Sequence, residues 1–179
     1  YVFTAFGCNL EGDISVATVL KSVKELVQLT DATGISPEAY YLCDTIGAAS
    51  PLDVQRVVDS VRNCWPDLPI GLHLHDTRGL GMVNALMGLR LGVARFDTSI
   101  GGLGGCPFAG NRAAAGNLAT EDFAFLCAEL GIDTGLDLQA LIECANLAEA
   151  IVGHPLPGKL RLAGLPRRGA TVRYQEAVT

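Results

Sequence analysis

The amino-acid sequence predicts an α/β protein built from parallel βαβ units, and two observations carry that reading. Strand-like and helix-like runs alternate at spacings of roughly 25–40 residues, the rhythm of parallel strands joined by crossover helices. Each strand-like run also ends in polar or glycine-rich sequence, and the C-terminal ends of parallel strands are where such folds assemble their chemistry.

The elements follow in order. Residues 1–6 (YVFTAF) read as a strand that ends at Gly7. Over residues 14–29, Val16, Val19, Leu20, Val23, Leu26 and Val27 recur at helical spacing, with Ser15 as the N-cap. Residues 39–43 form the second strand, which runs into Asp44-Thr45. Pro51 opens the second helix, because its fixed φ suits the first helical turn, and that helix reaches Cys64. Residues 70–75 are the third strand and residues 82–91 the third helix, stopped by Gly92. Residues 93–100 are the fourth strand, followed by a glycine-rich loop over 101–116. Only helices are expected beyond it, over 120–130 and 136–152, and the stretch from Pro155 onward has little periodicity.

Four βα units make half of an eight-stranded barrel, and a complete barrel takes about 250 residues. The 179 residues therefore fit either an open α/β sheet or the C-terminal part of a longer barrel. A half barrel standing alone exposes two long strand edges. The favoured expectation is that residues 1–154 are the C-terminal half of a barrel and 155–179 an irregular tail. Because Tyr1 lies inside a strand-like run, the natural N-terminus is expected to lie upstream.

Composition limits the function classes. A formal charge of −6 argues against nucleic acid as a partner, although a local basic pocket can still hold an anion. No apolar run is long enough to span a membrane, and the N-terminus does not resemble a signal peptide. The six cysteines are scattered with no CxxC pair, which predicts a reducing compartment and no disulfide framework.

The residues with chemistry gather at the strand ends. Two of the three histidines, His73 and His75, sit two apart in Gly71-Leu72-His73-Leu74-His75-Asp76-Thr77. A strand has a side-chain period of two, so both point to one face with Cα atoms roughly 6.5–7 Å apart, where they can share a divalent metal ion. Asp76 points to the other face and is expected to serve structure or to support a ligand. Asp44 ends the neighbouring strand; it is expected either to reach the cavity of the histidines or to cap a turn. Cys106, in the loop Gly101-Gly102-Leu103-Gly104-Gly105-Cys106, is a candidate acid/base or nucleophilic thiol. Asn117 carries an amide oxygen able to ligate a hard cation. Glu121 and Asp122 suit the first turn of a helix.

The segments YVFTAFGCNLEGDIS, CDTIG, GLHLHDTRG, FDTSIGGLGGCPF and GNLATED, in this order and spacing, resemble the 3-hydroxy-3-methylglutaryl-CoA lyases. These belong to a wider family of metal-dependent TIM-barrel lyases, aldolases and synthases. The resemblance runs to about Val152. It implies a (β/α)8 TIM barrel of which this chain supplies about the last four βα units plus C-terminal helices. It implies Mg²⁺ or Mn²⁺ held by His73, His75, Asn117 and an aspartate from the first barrel strand. Catalytic roles for Cys106, Asp44 and Glu121 follow from it as well. The first-strand motif that supplies the aspartate and a catalytic arginine is not in this sequence, so the chain alone is expected to be inactive.

The implied reaction is retro-Claisen cleavage of an acyl-CoA thioester, with no nucleic acid or membrane partner and a homodimer or higher homo-oligomer as the assembly. A related CoA lyase acting on citramalyl-CoA, an aldolase of the wider family, or an inactive half barrel are the alternatives. Arg78 and Arg112 are candidates to meet CoA phosphates. The implied location is the cytoplasm of a bacterium, or the mitochondrial matrix in a eukaryote. The segment PFAGNRAAAG between Cys106 and Asn117 is longer than in better-known members, which leaves substrate choice open. The tail lacks the cysteine found in some animal members.

Overall fold

The computed structural model describes residues 1–105 and 116–166. Helices and strands alternate as β1 (Tyr40–Asp44), β2 (Ile70–Leu74) and β3 (Arg95–Asp97), preceded by α1 (Val16–Thr33) and separated by α2 (Pro51–Cys64) and α3 (Gly81–Arg90). A 3-10 turn (Ile100–Gly102), α4 (Thr120–Glu129), α5 (Leu138–Val152) and the single turn α6 (Leu160–Ala163) follow. The three strands form one parallel sheet in the order β1-β2-β3.

The helix ends obey their local chemistry. Ser15 caps α1 through the Thr18 amide, and Gly34 closes it in the left-handed region at φ 68°. That αL glycine carries α1 four residues past Leu29, because the last apolar contact does not end a helix whose backbone has a good C-cap further on. Ser50 and Asp53 form a reciprocal capping box around Pro51 at the start of α2. Asp137 caps α5 by accepting from Gln139 and Ala140.

Register decides which side chains share a face. Leu42 pairs with Leu72, and Leu72 with Phe96. Leu42, Leu72 and Leu74 pack against Val19 and Val23 of α1, Val54, Val58 and Val61 of α2, and Ala85 of α3, all buried in one core. Truncating a leucine at its centre, such as Leu72→Ala, is expected to cost about 2–5 kcal/mol. The opposite face carries Tyr41, Cys43, Gly71, His73, Arg95 and Asp97. Helices on one face and a polar, aromatic lining on the other is the arrangement of a barrel wall; an open doubly wound sheet has helices on both faces.

Two strands differ from expectation. The run over residues 1–6 contributes only a parallel bridge from Val2 to Leu42, on the edge of β1 away from β2. Val2 donates to the Tyr41 carbonyl at 2.8 Å and accepts from the Cys43 amide at 3.0 Å. Thr4 then takes a left-handed φ of 54° and its amide donates to the Thr45 hydroxyl, so the regular ladder breaks and Ala5 instead donates to the Cys43 carbonyl at 3.0 Å. The strand expected over 93–100 is limited to Arg95–Asp97. Beyond Asp97, the returning segment 116–119 takes the hydrogen bonds at the tip of β2: Leu118 donates to Leu74, and Asp76 donates to Gly116. Ser99 pairs with Ala119 on the other side of that segment. The stretch after Pro155, expected to be irregular, includes the helical turn α6.

Candidate active site

The site lies at the C-terminal end of β2. His73 sits within the strand and His75 just past it, both on the face opposite Leu72 and Leu74. Their Nε2 atoms are 3.2 Å apart, with ring centroids at 5.1 Å and planes inclined by 60°. Two imidazoles bound side by side to one ion, with bonds near 2.1 Å, would hold their nitrogens about 3 Å apart. That spacing would let both rings ligate a single ion. Burial and the neighbouring His73 ring lower the pKa of His75, while the Thr45 backbone and the Asn117 side chain oppose that shift. The net result favours the neutral ring, whose lone pair can ligate. Nδ1 of His75 is buried, and among the described residues no group meets it in strict hydrogen-bond geometry.

Asn117 reaches the same place from far along the chain. It forms an antiparallel bridge with His75, and its Nδ2 donates to the Leu103 carbonyl at 2.9 Å. With the amide nitrogen directed at the loop, the carbonyl end is left for another partner. Among the described residues, no group of three or more His, Cys, Asp or Glu side chains is placed to hold a metal ion. The two imidazoles and the amide fit a hard cation as part of a shell, and a carboxylate must complete it.

Sequence reasoning passed over Asp97. Its Cα is in register with His73 across the β2–β3 pair, and its Oδ2 lies 3.0 Å from His73 Nδ1. The Tyr1 ring stacks on Tyr41 at 4.8 Å. Burial, then the neighbouring Asp97 carboxylate, push the Tyr1 hydroxyl up to about 12, so it remains protonated. The Tyr41 ring lies across Gly71, where a Cβ would come within 2.6 Å of it. Cys43 is also on this face, in register with His73, but burial pushes its thiol up to about 12 and keeps it protonated. The signal for Asp97 was present in the sequence: an acidic residue at a strand end, in the motif FDTS.

Asp44 is placed differently from the cavity reading. It is in register with Leu74, and Cys43 takes the position opposite His73. With a period of two, the Asp44 side chain lies on the helix-covered face. Its Oδ1 accepts from the Ala48 amide at 2.8 Å and its Oδ2 from the Ala49 amide at 3.1 Å. Burial raises its pKa against the pull of those amides and of Arg78. The turn-capping reading is the one this geometry carries. Asp76 likewise caps, accepting from the Gly81 amide at the start of α3.

Glu121 is fully buried behind the base of the glycine-rich loop, apart from the histidine pair. Its Oε2 accepts from the Gly101 amide at 2.9 Å, and its Oε1 is buried without a partner against Gly158. Burial raises its pKa, opposed by the amides of Glu121 itself and Gly101. Gly158 in turn donates to the Gly101 carbonyl, so the segment after α5 and Glu121 clamp the same hinge residue. Arg78 Nη1 donates to the carbonyls of Ile46 and Gly47, which ties two strand-end loops together. Cys106 and Arg112 lie outside the described residues. No helix among the described residues is long and apolar enough to cross a membrane.

Residues 3–148 match the family described as HMGL-like. The hydroxymethylglutaryl-CoA lyase YngG of Bacillus subtilis is 38% identical over 159 residues, which cover 89% of this chain and 50% of that protein. The (R)-citramalyl-CoA lyase of Chloroflexus aurantiacus is 39% identical over 160 residues, 89% of this chain and 48% of that one. Among solved structures, an HMG-CoA lyase from Acinetobacter baumannii in complex with coenzyme A and 3-methylmalate superposes with a TM-score of 0.77 at 41% identity. That match covers 94% of this chain and 53% of the other. The chain spans about half the length of the curated relatives it matches.

Proposed function

The chain belongs to the HMGL-like family, and from that premise we propose that the protein is a divalent-metal-dependent lyase that breaks a carbon–carbon bond of a 3-hydroxyacyl-CoA thioester. The substrate we assign is 3-hydroxy-3-methylglutaryl-CoA, with acetoacetate and acetyl-CoA as products. The observation that carries the reading is the convergence of the His73 and His75 Nε2 atoms, 3.2 Å apart, at the C-terminal end of a parallel strand.

In this reading His73, His75 and the Asn117 amide oxygen hold Mg²⁺ or Mn²⁺. The bound cation supplies Lewis-acid polarisation of substrate oxygens. The Leu103 carbonyl orients the Asn117 amide. The substrate hydroxyl loses its proton to a base as the bond between the carbinol carbon and the thioester-bearing carbon breaks. The hydroxyl carbon becomes the ketone of acetoacetate, and the electron pair remains on the acetyl-CoA carbon as an enolate. Cys106 is the residue we assign to deliver a proton to that carbon. Glu121 holds Gly101 at the root of the segment that carries Cys106.

A second substrate has a specific observation behind it: the citramalyl-CoA lyase is as similar to this chain as YngG is, at 39% against 38% identity. Both thioesters place a tertiary hydroxyl beside the bond to be broken, so one site chemistry serves either. The test is a thioester cleavage assay on the full-length protein with each substrate, before and after chelation and with Mg²⁺ or Mn²⁺ restored. Metal-dependent cleavage of one of them is expected. Failure to cleave either in the presence of metal rejects the lyase, and cleavage that survives exhaustive chelation rejects the metal. Cys106→Ala is expected to abolish turnover while metal content, read by elemental analysis, stays at the wild-type value.

A further inference from the structure

We propose that Asp97 is a positioning residue for the metal-binding ring of His73. The inference rests on the metal-dependent reading of the His73–His75 pair, and it adds a carboxylate that neither the sequence motifs nor the relatives' names assign.

The geometry is direct. Asp97 Oδ2 lies 3.0 Å from His73 Nδ1, and the other ring nitrogen, Nε2, faces His75. An ionised carboxylate only accepts, so it fixes the proton on Nδ1 and leaves the Nε2 lone pair directed at the point shared with His75. A histidine so held is also a more basic ligand, and its ring cannot swing away. The β2–β3 register sets the contact, because His73 and Asp97 are Cα partners. Neither group is deeply buried, with side chains 25% and 30% exposed, so desolvation alone does not account for their pairing.

Aromatic packing borders the pair. The Tyr1 ring stacks on Tyr41 at an 11° interplanar angle, and the Tyr1 and His73 ring centroids lie 6.3 Å apart in an edge arrangement. The His73 ring is therefore flanked by an aromatic ring as well as by the carboxylate.

The test measures metal affinity and ring tautomer on the full-length protein, without reference to turnover. Mn²⁺ binding is followed by electron paramagnetic resonance for wild type, His75→Ala and Asp97→Asn. Asp97→Asn is expected to weaken Mn²⁺ roughly 10–100-fold. In metal-free protein, ¹⁵N spectra of the imidazoles are expected to show the Nδ1–H tautomer for His73 in wild type and a mixture in Asp97→Asn, a change that a merely structural role would not produce. Wild type that fails to bind Mn²⁺ overturns the metal reading itself. Wild-type binding that is lost in His75→Ala but is unchanged within twofold in Asp97→Asn overturns the role of Asp97 and leaves the metal reading intact. If Asp97→Asn does not fold, an Nε2–H tautomer for His73 in wild type overturns the positioning.

Discussion

Replacing Asp44 separates its two possible jobs by different amounts in different measurements. In the structure its carboxylate accepts from the amides of Ala48 and Ala49 at 2.8 and 3.1 Å. Ala49 is fully buried, so its amide would be left without a partner in Asp44→Ala, whereas the exposed Ala48 can turn to water. An orphaned buried donor costs about 1–3 kcal/mol, and the loss of a charge-assisted bond at Ala48 adds a smaller share. Removing a carboxylate whose ionised form is disfavoured by burial offsets part of this. The sum is a loss of about 2–4 kcal/mol, read from urea denaturation of the full-length protein. Asp44→Asn keeps one acceptor and is expected to lose about half as much, with turnover within threefold of wild type at temperatures where the variant is folded. A general base behaves in the opposite way: Asp44→Asn would cut kcat by roughly 10²–10⁴ with stability unchanged. That second pattern would refute the capping assignment.

Two further outcomes follow from the clamp around Gly101. Burial raises the pKa of Glu121 in the folded chain, so the folded state binds its proton more tightly than the unfolded state. The associated stability is fully present below the ordinary glutamate value and is lost as pH rises through the raised one. Glu121→Gln should flatten that fall in a series of denaturation curves at increasing pH, and an unaltered slope would assign the pH dependence elsewhere. At Gly158, an added Cβ would stand 2.0 Å from Glu121 Oε1, so Gly158→Ala must displace the carboxylate or the segment. It is expected to cost about 1–3 kcal/mol and to lower the melting temperature; a melting curve superposable on wild type would show that the segment does not press on Glu121.

The alternation of strands and helices was legible because each helix carries its own periodicity and caps. The His73–His75 pair was legible because strand parity is local. The two readings of Asp44 stayed open in the sequence because the strand end alone does not say whether residue 43 or 44 stands beside His73, and a shift of one moves a side chain to the other face. Asp97 could have been read by the same parity had the β2–β3 register been known. Asn117 meets His75 through an antiparallel bridge between segments far apart in sequence, which no local pattern encodes. The early end of the first strand depends on one left-handed residue, Thr4, in a run whose composition favours extended backbone.

The hydrogen bond from Asn117 to Leu103 turns the stretch between them, residues 104–116, into a ring closed at its base. The entropy of closing a segment grows slowly with its length, by about 0.6 kcal/mol for each doubling. A change of length between Leu103 and Asn117 is therefore expected to leave the Asn117 amide beside His75, because the bond that seats it joins the two ends.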